Sequence, residues 1–405
     1  MSLLRKLVLL LGPILIILSL TLLLTRITLL QWLLPYRFLV TAGLAIGAIL
    51  SLAGFQQWKE GNSRKRRILF LAAGVLGAFL AAIEYIAQYR AYDEEIVKFN
   101  SSGTILVGTL YRPYGTGQFP AMVLVHGSGK LPRRLYHLWA DHFVRQGFVV
   151  LAYDKRGVGD SGGSYEGENN TSRKNIELLA ADAAAAHEFL VDRAEVRKTC
   201  VGFWGISQAG WIIPRAASKT VNTAFMILVS GPVTTVGEEN GYSRITGDHD
   251  PGNGMTPQEA EDLMAKQAPS GYDPVPDLRS VDAPGLWLQG DRDWSIPAIR
   301  SVVLLRTLRD AGKPYQVQVF PGAGHAIFLR AKGQLLPALA PGYWEAMDQW
   351  LKETVKNKCL SEIPRDSHSS LVLRTQQLVL RLIAPSSRNQ LVFVGGDHQP
   401  GSWRG

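Results

Sequence analysis

Serine attacks a carbonyl only when a base removes its proton and donors await the oxyanion that forms. The run Gly205-Ile206-Ser207-Gln208-Ala209-Gly210 sets a serine where a strand expected over 201–204 gives way to a helix expected over 208–217. A sharp strand-to-helix turn lifts such a hydroxyl out of the sheet, and its tightness demands small neighbours. The pattern is G-x-S-x-G except that Ala209 stands at the last glycine; alanine is still small, and Gly210 follows. The competing reading is a serine that caps an ordinary helix.

The base expected for Ser207 is His325, in the loop Pro321-Gly322-Ala323-Gly324-His325 after a strand expected over 315–320. Seven other histidines exist: His137, His142 and His187 on expected helices, His249 in a polar insertion, His368 and His398 near the carboxyl end, and His126 in a loop of its own. An imidazole needs a carboxylate to fix its tautomer and stabilise its charged form. Gly290-Asp291-Arg292-Asp293 follows a strand expected over 285–289, and by position either aspartate could serve. The chain order serine, aspartate, histidine suits a parallel α/β sheet and differs from that of trypsin-like or subtilisin-like enzymes.

The oxyanion donors expected are the backbone N–H of Gln208 and that of Ser128, in His126-Gly127-Ser128-Gly129 after a strand expected over 122–125. His126 reads as a brace of this loop. Asp154-Lys155-Arg156-Gly157-Val158-Gly159-Asp160-Ser161 reads as scaffold, since no Lys-Ser/Thr follows its glycines as in a phosphate-binding loop. Asp248-His249-Asp250 offers too few ligands to enclose a metal, so no metal site is expected.

These clusters begin where expected strands end. Short strands over 96–99, 105–111, 122–125, 148–153, 201–204, 225–230, 285–289 and 315–320 alternate, from the third onward, with helices over 136–146, 176–191, 208–217, 301–311 and 343–356. Such alternation implies a mostly parallel sheet covered on both faces, with ligands bound at its carboxyl edge. Residues 233–282, rich in Gly, Asp and Pro with one helix expected over 257–267, read as an insertion overhanging that edge, a lid.

The amino-terminal part differs in kind. Residues 7–25, 38–55 and 68–83 are uncharged apolar runs, and a membrane-spanning helix needs roughly 20 residues. Ten Lys and Arg but two acids precede Asp93, leaving 33 basic and 32 acidic residues in the rest. The formal charge of +9 therefore reads as membrane topology, and no nucleic-acid partner is expected. The basic cluster over 59–67 stays cytoplasmic on this reading, and the chain emerges on the outer face after a third span. The expected organisation is a membrane anchor over 1–92 that meets the bilayer through residues 7–89, a catalytic domain over 93–358, and a peripheral or disordered tail over 359–405. Cys200 and Cys359 fit no metal spacing or disulfide framework, and Cys200 is expected to be a buried thiol, the lesser alternative being a bridge to Cys359 in an exported domain.

Taken together, the motifs around His126, Asp154, Ser207, Asp293 and His325 resemble those of the α/β-hydrolase superfamily over about residues 95–356. Within it the chain is most similar to bacterial serine esterases related to the dienelactone-hydrolase and prolyl-oligopeptidase branches. The resemblance implies the α/β-hydrolase fold, a catalytic triad of Ser207, Asp293 and His325, and no cofactor. Asp293 is chosen because the acid in those relatives is usually the aspartate three residues after the glycine. The expected activity is hydrolysis of a small-molecule ester or acyl substrate through an acyl-enzyme. The rivals are a serine peptidase, a membrane acyltransferase and a non-enzymatic binding protein.

Overall fold

The computed structural model describes residues 92–167, 171–248, 254–329 and 338–356, with Gly47 and Cys359 besides. The three apolar runs expected to span a membrane (apart from Gly47) and the tail beyond Cys359 lie outside the described residues. Among those described, no helix is long and apolar enough to cross a membrane.

The sheet starts as a hairpin, β1 (Tyr92–Ser101) and β2 (Thr104–Pro113), paired antiparallel from Tyr92 opposite Pro113 to Ser101 opposite Thr104. The connection is only Ser102 and Gly103, at φ 48° and 82°. Two left-handed residues give the turn whose twist matches the flanking strands. Six more strands follow: β3 (Phe119–Val125), β4 (Val149–Tyr153), β5 (Val196–Ile206), β6 (Met226–Val229), β7 (Gly285–Gly290) and β8 (Tyr315–Phe320). Their spatial order is β1-β2-β4-β3-β5-β6-β7-β8. β2 meets β4 antiparallel, and β4 through β8 are mutually parallel. Every residue of β3, β4, β6 and β7 is buried, as unbroken apolar runs are in a sheet covered on both faces.

Alternate residues of each strand feed opposite cores. Val123, Leu151 and Phe203 pack with Leu179, Ile212 and Leu305 from α2 (Arg173–Val191), α3 (Ala209–Ala217) and α7 (Ala298–Asp310). Met122, Val150 and Trp204 pack on the other face with Trp139 and Phe143 of α1 (His137–Arg145) and Met347 of α8 (Tyr343–Leu351). Between β3 and β5 the winding changes direction, because β3 is followed by β4 on one side and β5 on the other. Such a switch point opens a crevice at the carboxyl ends of the strands.

Among the described residues the insertion holds three helices: α4 (Val236–Thr246), α5 (Pro257–Met264) and α6 (Val275–Ser280). Only α5 is foreseen from sequence. α4 and α5 each start with a reciprocal capping box, Thr235 with Glu238 and Thr256 with Glu259. β5 begins five residues before the expected start, because Arg197 and Lys198 break the apolar run that marks its buried half.

The buried-thiol reading of Cys200 is corrected. Cys200 and Cys359 form a disulfide with Cα atoms 6.0 Å apart, joining β5 to a position 159 residues further along the chain. Such a pairing is tertiary and leaves no spacing signature. A crosslink closing so long a loop removes much unfolded-state entropy, a typical contribution being about 2–4 kcal/mol. Reducing the full-length protein in detergent is expected to lower its unfolding free energy by about that amount in urea titrations with and without reductant. Alkylation of the unreduced, denatured chain is expected to find no free thiol.

Candidate active site

Ser207 occupies the turn between β5 and α3 at φ 55°, a left-handed conformation that non-glycine residues adopt at functional turns. Its N–H donates to the Val229 carbonyl at 2.9 Å, and its own carbonyl accepts from Gly210 N–H at 2.8 Å. The surroundings allow only small residues. A Cβ at Gly205 would lie 2.5 Å from the Ala209 Cβ, and one at Gly210 would lie 2.6 Å from the Pro232 ring. Ala209 is itself fully buried against this turn, so a methyl group is accommodated where the usual pattern has glycine. Ser207 stays partly exposed at the carboxyl edge of the sheet.

The loops after β7 and β8 supply the next pair. The His325 Nδ1 lies 3.1 and 3.0 Å from the two carboxylate oxygens of Asp293. The Asp293 side chain is fully buried, whereas that of His325 keeps 31% of its surface open. Oδ1 of Asp293 also accepts from the N–H groups of Ser295 at 2.9 Å and Ile296 at 3.1 Å, which fixes the orientation of the carboxylate. Asp291 does different work: its Oδ1 accepts from Gly322 N–H at 2.6 Å, tying the β7 loop to the loop that carries His325.

Past His325 the backbone is strained, with Ala326 at φ 59° and Ile327 at φ 62°. Ala326 N–H donates to Ser230 Oγ at 3.0 Å, and Ile327 N–H to Gly324 O at 3.0 Å. Ser230 follows β6, the strand next to β5, so this bond draws the histidine loop across the strand ends toward Ser207. Among the described residues, Ser207 Oγ and His325 are not joined by a hydrogen bond. In free enzymes that contact often closes only on substrate binding.

The loop after β3 lies against the serine: a Cβ at Gly127 would lie 3.4 Å from the Ser207 Cβ. Gly127 N–H is occupied by the Tyr136 hydroxyl at 3.0 Å. Ser128, the next residue, is partly exposed beside it. His126 is buried, its Nε2 bonded to the Tyr153 carbonyl, its ring edge-on to Tyr136 and Tyr153. Burial, with Lys155 nearby, pushes its pKa down to about 3, so it stays neutral and braces the loop. In the cluster after β4, Asp154 pairs with Arg133 and accepts Asp160 N–H at 2.9 Å, while Arg156 pairs with the buried Asp182. These are scaffold contacts. Lys155 alone of that cluster reaches the nucleophile side, and the motif, read as a glycine turn, conceals this.

The insertion is tied to the acid loop. On α4, Tyr242 OH donates to the Asp293 carbonyl at 2.9 Å and Thr246 Oγ1 to the Trp294 carbonyl at 2.6 Å. Glu239, Tyr242 and Thr246 lie three and four residues apart and share one helix face. Desolvation and the nearby Asp248 and Asp293 push the Glu239 carboxyl up to about 7, while His325 opposes them. On α5, the Glu261 carboxylate accepts from the N–H groups of Ile299 at 2.9 Å and Arg300 at 2.7 Å, at the start of α7. Of the Asp248-His249-Asp250 run only Asp248 lies within the described residues, and it accepts from Ser243 Oγ.

A sheet of this topology, with a serine on the elbow after β5 and an acid and a histidine after β7 and β8, defines an α/β-hydrolase, and the chain is a serine hydrolase of that fold. The profile of the prolyl oligopeptidase family matches residues 136–356, more than half of the chain, which therefore belongs to that family. A polyketide transferase of Penicillium crustosum is 30% identical over 151 residues, covering 36% of this chain and 47% of that protein. Human dipeptidyl peptidase 8 is 24% identical over 253 residues, covering 59% of this chain and 27% of the peptidase. The chain thus spans less than half the length of either relative. Among solved structures, an esterase of Pyrococcus furiosus superposes with a TM-score of 0.47 at 16% identity, over 66% of this chain and 91% of that one.

Burial lowers the His325 pKa, but Asp293, with Glu239 and Asp248, outweighs it and leaves the pKa raised. A base acts only when deprotonated, so activity is expected to fall as pH drops through this raised value. Glu239→Gln removes one of the raising charges. It is expected to move the acidic limb of the kcat/KM profile for p-nitrophenyl acetate to lower pH. An unmoved limb would count against the electrostatic coupling of α4 to the histidine.

Proposed function

We propose that the chain hydrolyses carboxylic esters by two-step acyl transfer on a triad of Ser207, His325 and Asp293. The observation that carries this reading is the buried Asp293 carboxylate on Nδ1 of His325, in a loop drawn toward the strained Ser207 elbow. With Nδ1 engaged by the carboxylate, Nε2 is the nitrogen left to take the serine proton.

Ser207 attacks the ester carbonyl while His325 takes its proton, and Asp293 stabilises the imidazolium. The N–H groups of Gln208 and Ser128 hold the oxyanion. His325 then protonates the leaving alcohol, and a water activated by the same ring releases the acid. Esters are the less demanding substrates, since amides are intrinsically less reactive. The family match and the similarity to a dipeptidyl peptidase favour a second reading, a serine peptidase using the same residues. Transfer to an alcohol or amine acceptor would follow the same acyl-enzyme, and the similarity to a polyketide transferase gives it a place in the test.

Residues 7–89 are proposed to anchor the enzyme in a membrane, on the strength of their hydropathy, with the catalytic domain on the outer face. The Cys200–Cys359 disulfide supports that side, because disulfides persist in oxidising compartments.

Ser207→Ala is expected to abolish turnover of p-nitrophenyl acetate and labelling by a fluorophosphonate probe, and wild-type rates in that variant would defeat the proposal. A panel of matched ester, peptide and acyl-acceptor substrates decides among the three outcomes. Protease added to sealed vesicles is expected to digest the catalytic domain when the cell's outer face is exposed; protection there would reverse the orientation.

A further inference from the structure

Lys155 is buried at 2% exposure, two residues beyond the end of β4. Its ammonium donates to the Gly127 carbonyl at 2.7 Å, the Gly129 carbonyl at 3.3 Å and the Gln208 side-chain Oε1 at 2.9 Å. Among the described residues no carboxylate pairs with it, and its other close neighbour is the face of the Tyr165 ring, 5.8 Å away. A buried ammonium without a counter-ion is costly unless it does something no neutral side chain does.

The three acceptors share a location. Gly127 and Gly129 flank Ser128, and Gln208 directly follows Ser207. These two segments follow different strands, β3 and β5, and each carries one of the proposed oxyanion donors. We infer that Lys155 is a positioning residue that clamps the two halves of the oxyanion hole together and, while protonated, supplies them with a positive charge. The inference rests on the acyl-transfer reading of the site.

The chemistry follows from where charge develops. In the resting enzyme the ammonium is held by neutral oxygens alone, and burial pushes its pKa down to about 7. Negative charge on the substrate oxygen offsets that desolvation only as the tetrahedral intermediate forms. An interaction stronger in the transition state than in the ground state raises kcat and leaves KM largely unchanged. Bonding two loops through one head group also fixes the spacing of the donors, which must match the oxyanion and not the ground-state carbonyl. Gln208 takes part twice: its backbone N–H as donor, its side chain as the clamp's anchor on the nucleophile side.

The test uses full-length enzyme in detergent and p-nitrophenyl acetate. Lys155→Met keeps the stem and removes the charge and all three bonds; Gln208→Met removes one bond and leaves the backbone donor. Lys155→Met is expected to lower kcat about tenfold to a hundredfold, short of the loss for deleting a direct oxyanion donor, with KM within about threefold. The affinity for a trifluoromethyl ketone, which forms a tetrahedral adduct, is expected to fall in parallel. Gln208→Met is expected to give a smaller loss in the same direction. A purely structural role predicts a lowered melting temperature with kcat per folded molecule unchanged. That result, or a rise in KM at constant kcat, overturns the inference. If Lys155→Met does not fold, Gln208→Met decides alone, and a kcat within twofold of wild type overturns it. Wild-type turnover by Ser207→Ala would instead strike the reading beneath it.

Discussion

The structure turns on one unfavourable backbone conformation. A non-glycine residue in the left-handed region costs roughly 1–3 kcal/mol, and Ser207 sits there at φ 55°. Its amide is fixed on β6, its carbonyl on Gly210, and the crossing of Gly205 with Ala209 and of Gly210 with Pro232 leaves no space for larger side chains. Relaxing the turn would require the first turn of α3 to leave β5, which would expose Ile212, Ile213 and the strand residues they cover. The apolar core thus holds the strain in place, and the strain lifts the hydroxyl to the sheet edge.

The second centre of strain, at Ala326 and Ile327, serves the histidine in the same way. Positive φ at a β-branched residue is rare, and Ile327 keeps it because its side chain is fully buried and its neighbour's amide is held by Ser230. Ser230, itself at φ 46°, donates its own amide to Leu288 of β7. Three consecutive strands, β6, β7 and β8, are therefore linked through a few backbone bonds at their carboxyl ends. The Asp293 carboxylate is buried in the midst of them, satisfied by two amides and the imidazole, an arrangement that tolerates burial only while all its partners stay in register.

Much of this was legible in the residue order, since strand ends, glycines and isolated chemistry-bearing side chains are local signals. The serine elbow and the sheet follow from short apolar runs and their punctuation. The choice between Asp291 and Asp293 was not local. Both follow the same glycine, and only the fold shows one bonded to Gly322 and the other to His325. The disulfide and the reach of Lys155 are likewise contacts between segments remote in sequence. α4 is a middle case: Thr235 and Glu238 spell a capping box, but few apolar positions follow it, so a glycine-rich, polar stretch looked unstructured.

The insertion is not independent of the loop that carries Asp293. Through Tyr242 and Thr246, α4 bonds the backbone carbonyls of Asp293 and Trp294, while Glu261 of α5 holds the amides of Ile299 and Arg300, just after that loop. The loop that carries Asp293 is thus pinned by the insertion. Changes in the insertion therefore act on the loop that carries Asp293. Substitutions on the outer faces of α4 and α5 leave those bonds intact, whereas changes at Tyr242 or Thr246 remove bonds to the loop that carries Asp293, and changes at Glu261 remove those to the start of α7. The insertion is therefore mechanically coupled to the loop that carries Asp293 through Tyr242 and Thr246, and to the start of α7 through Glu261, by four side-chain-to-backbone hydrogen bonds in all.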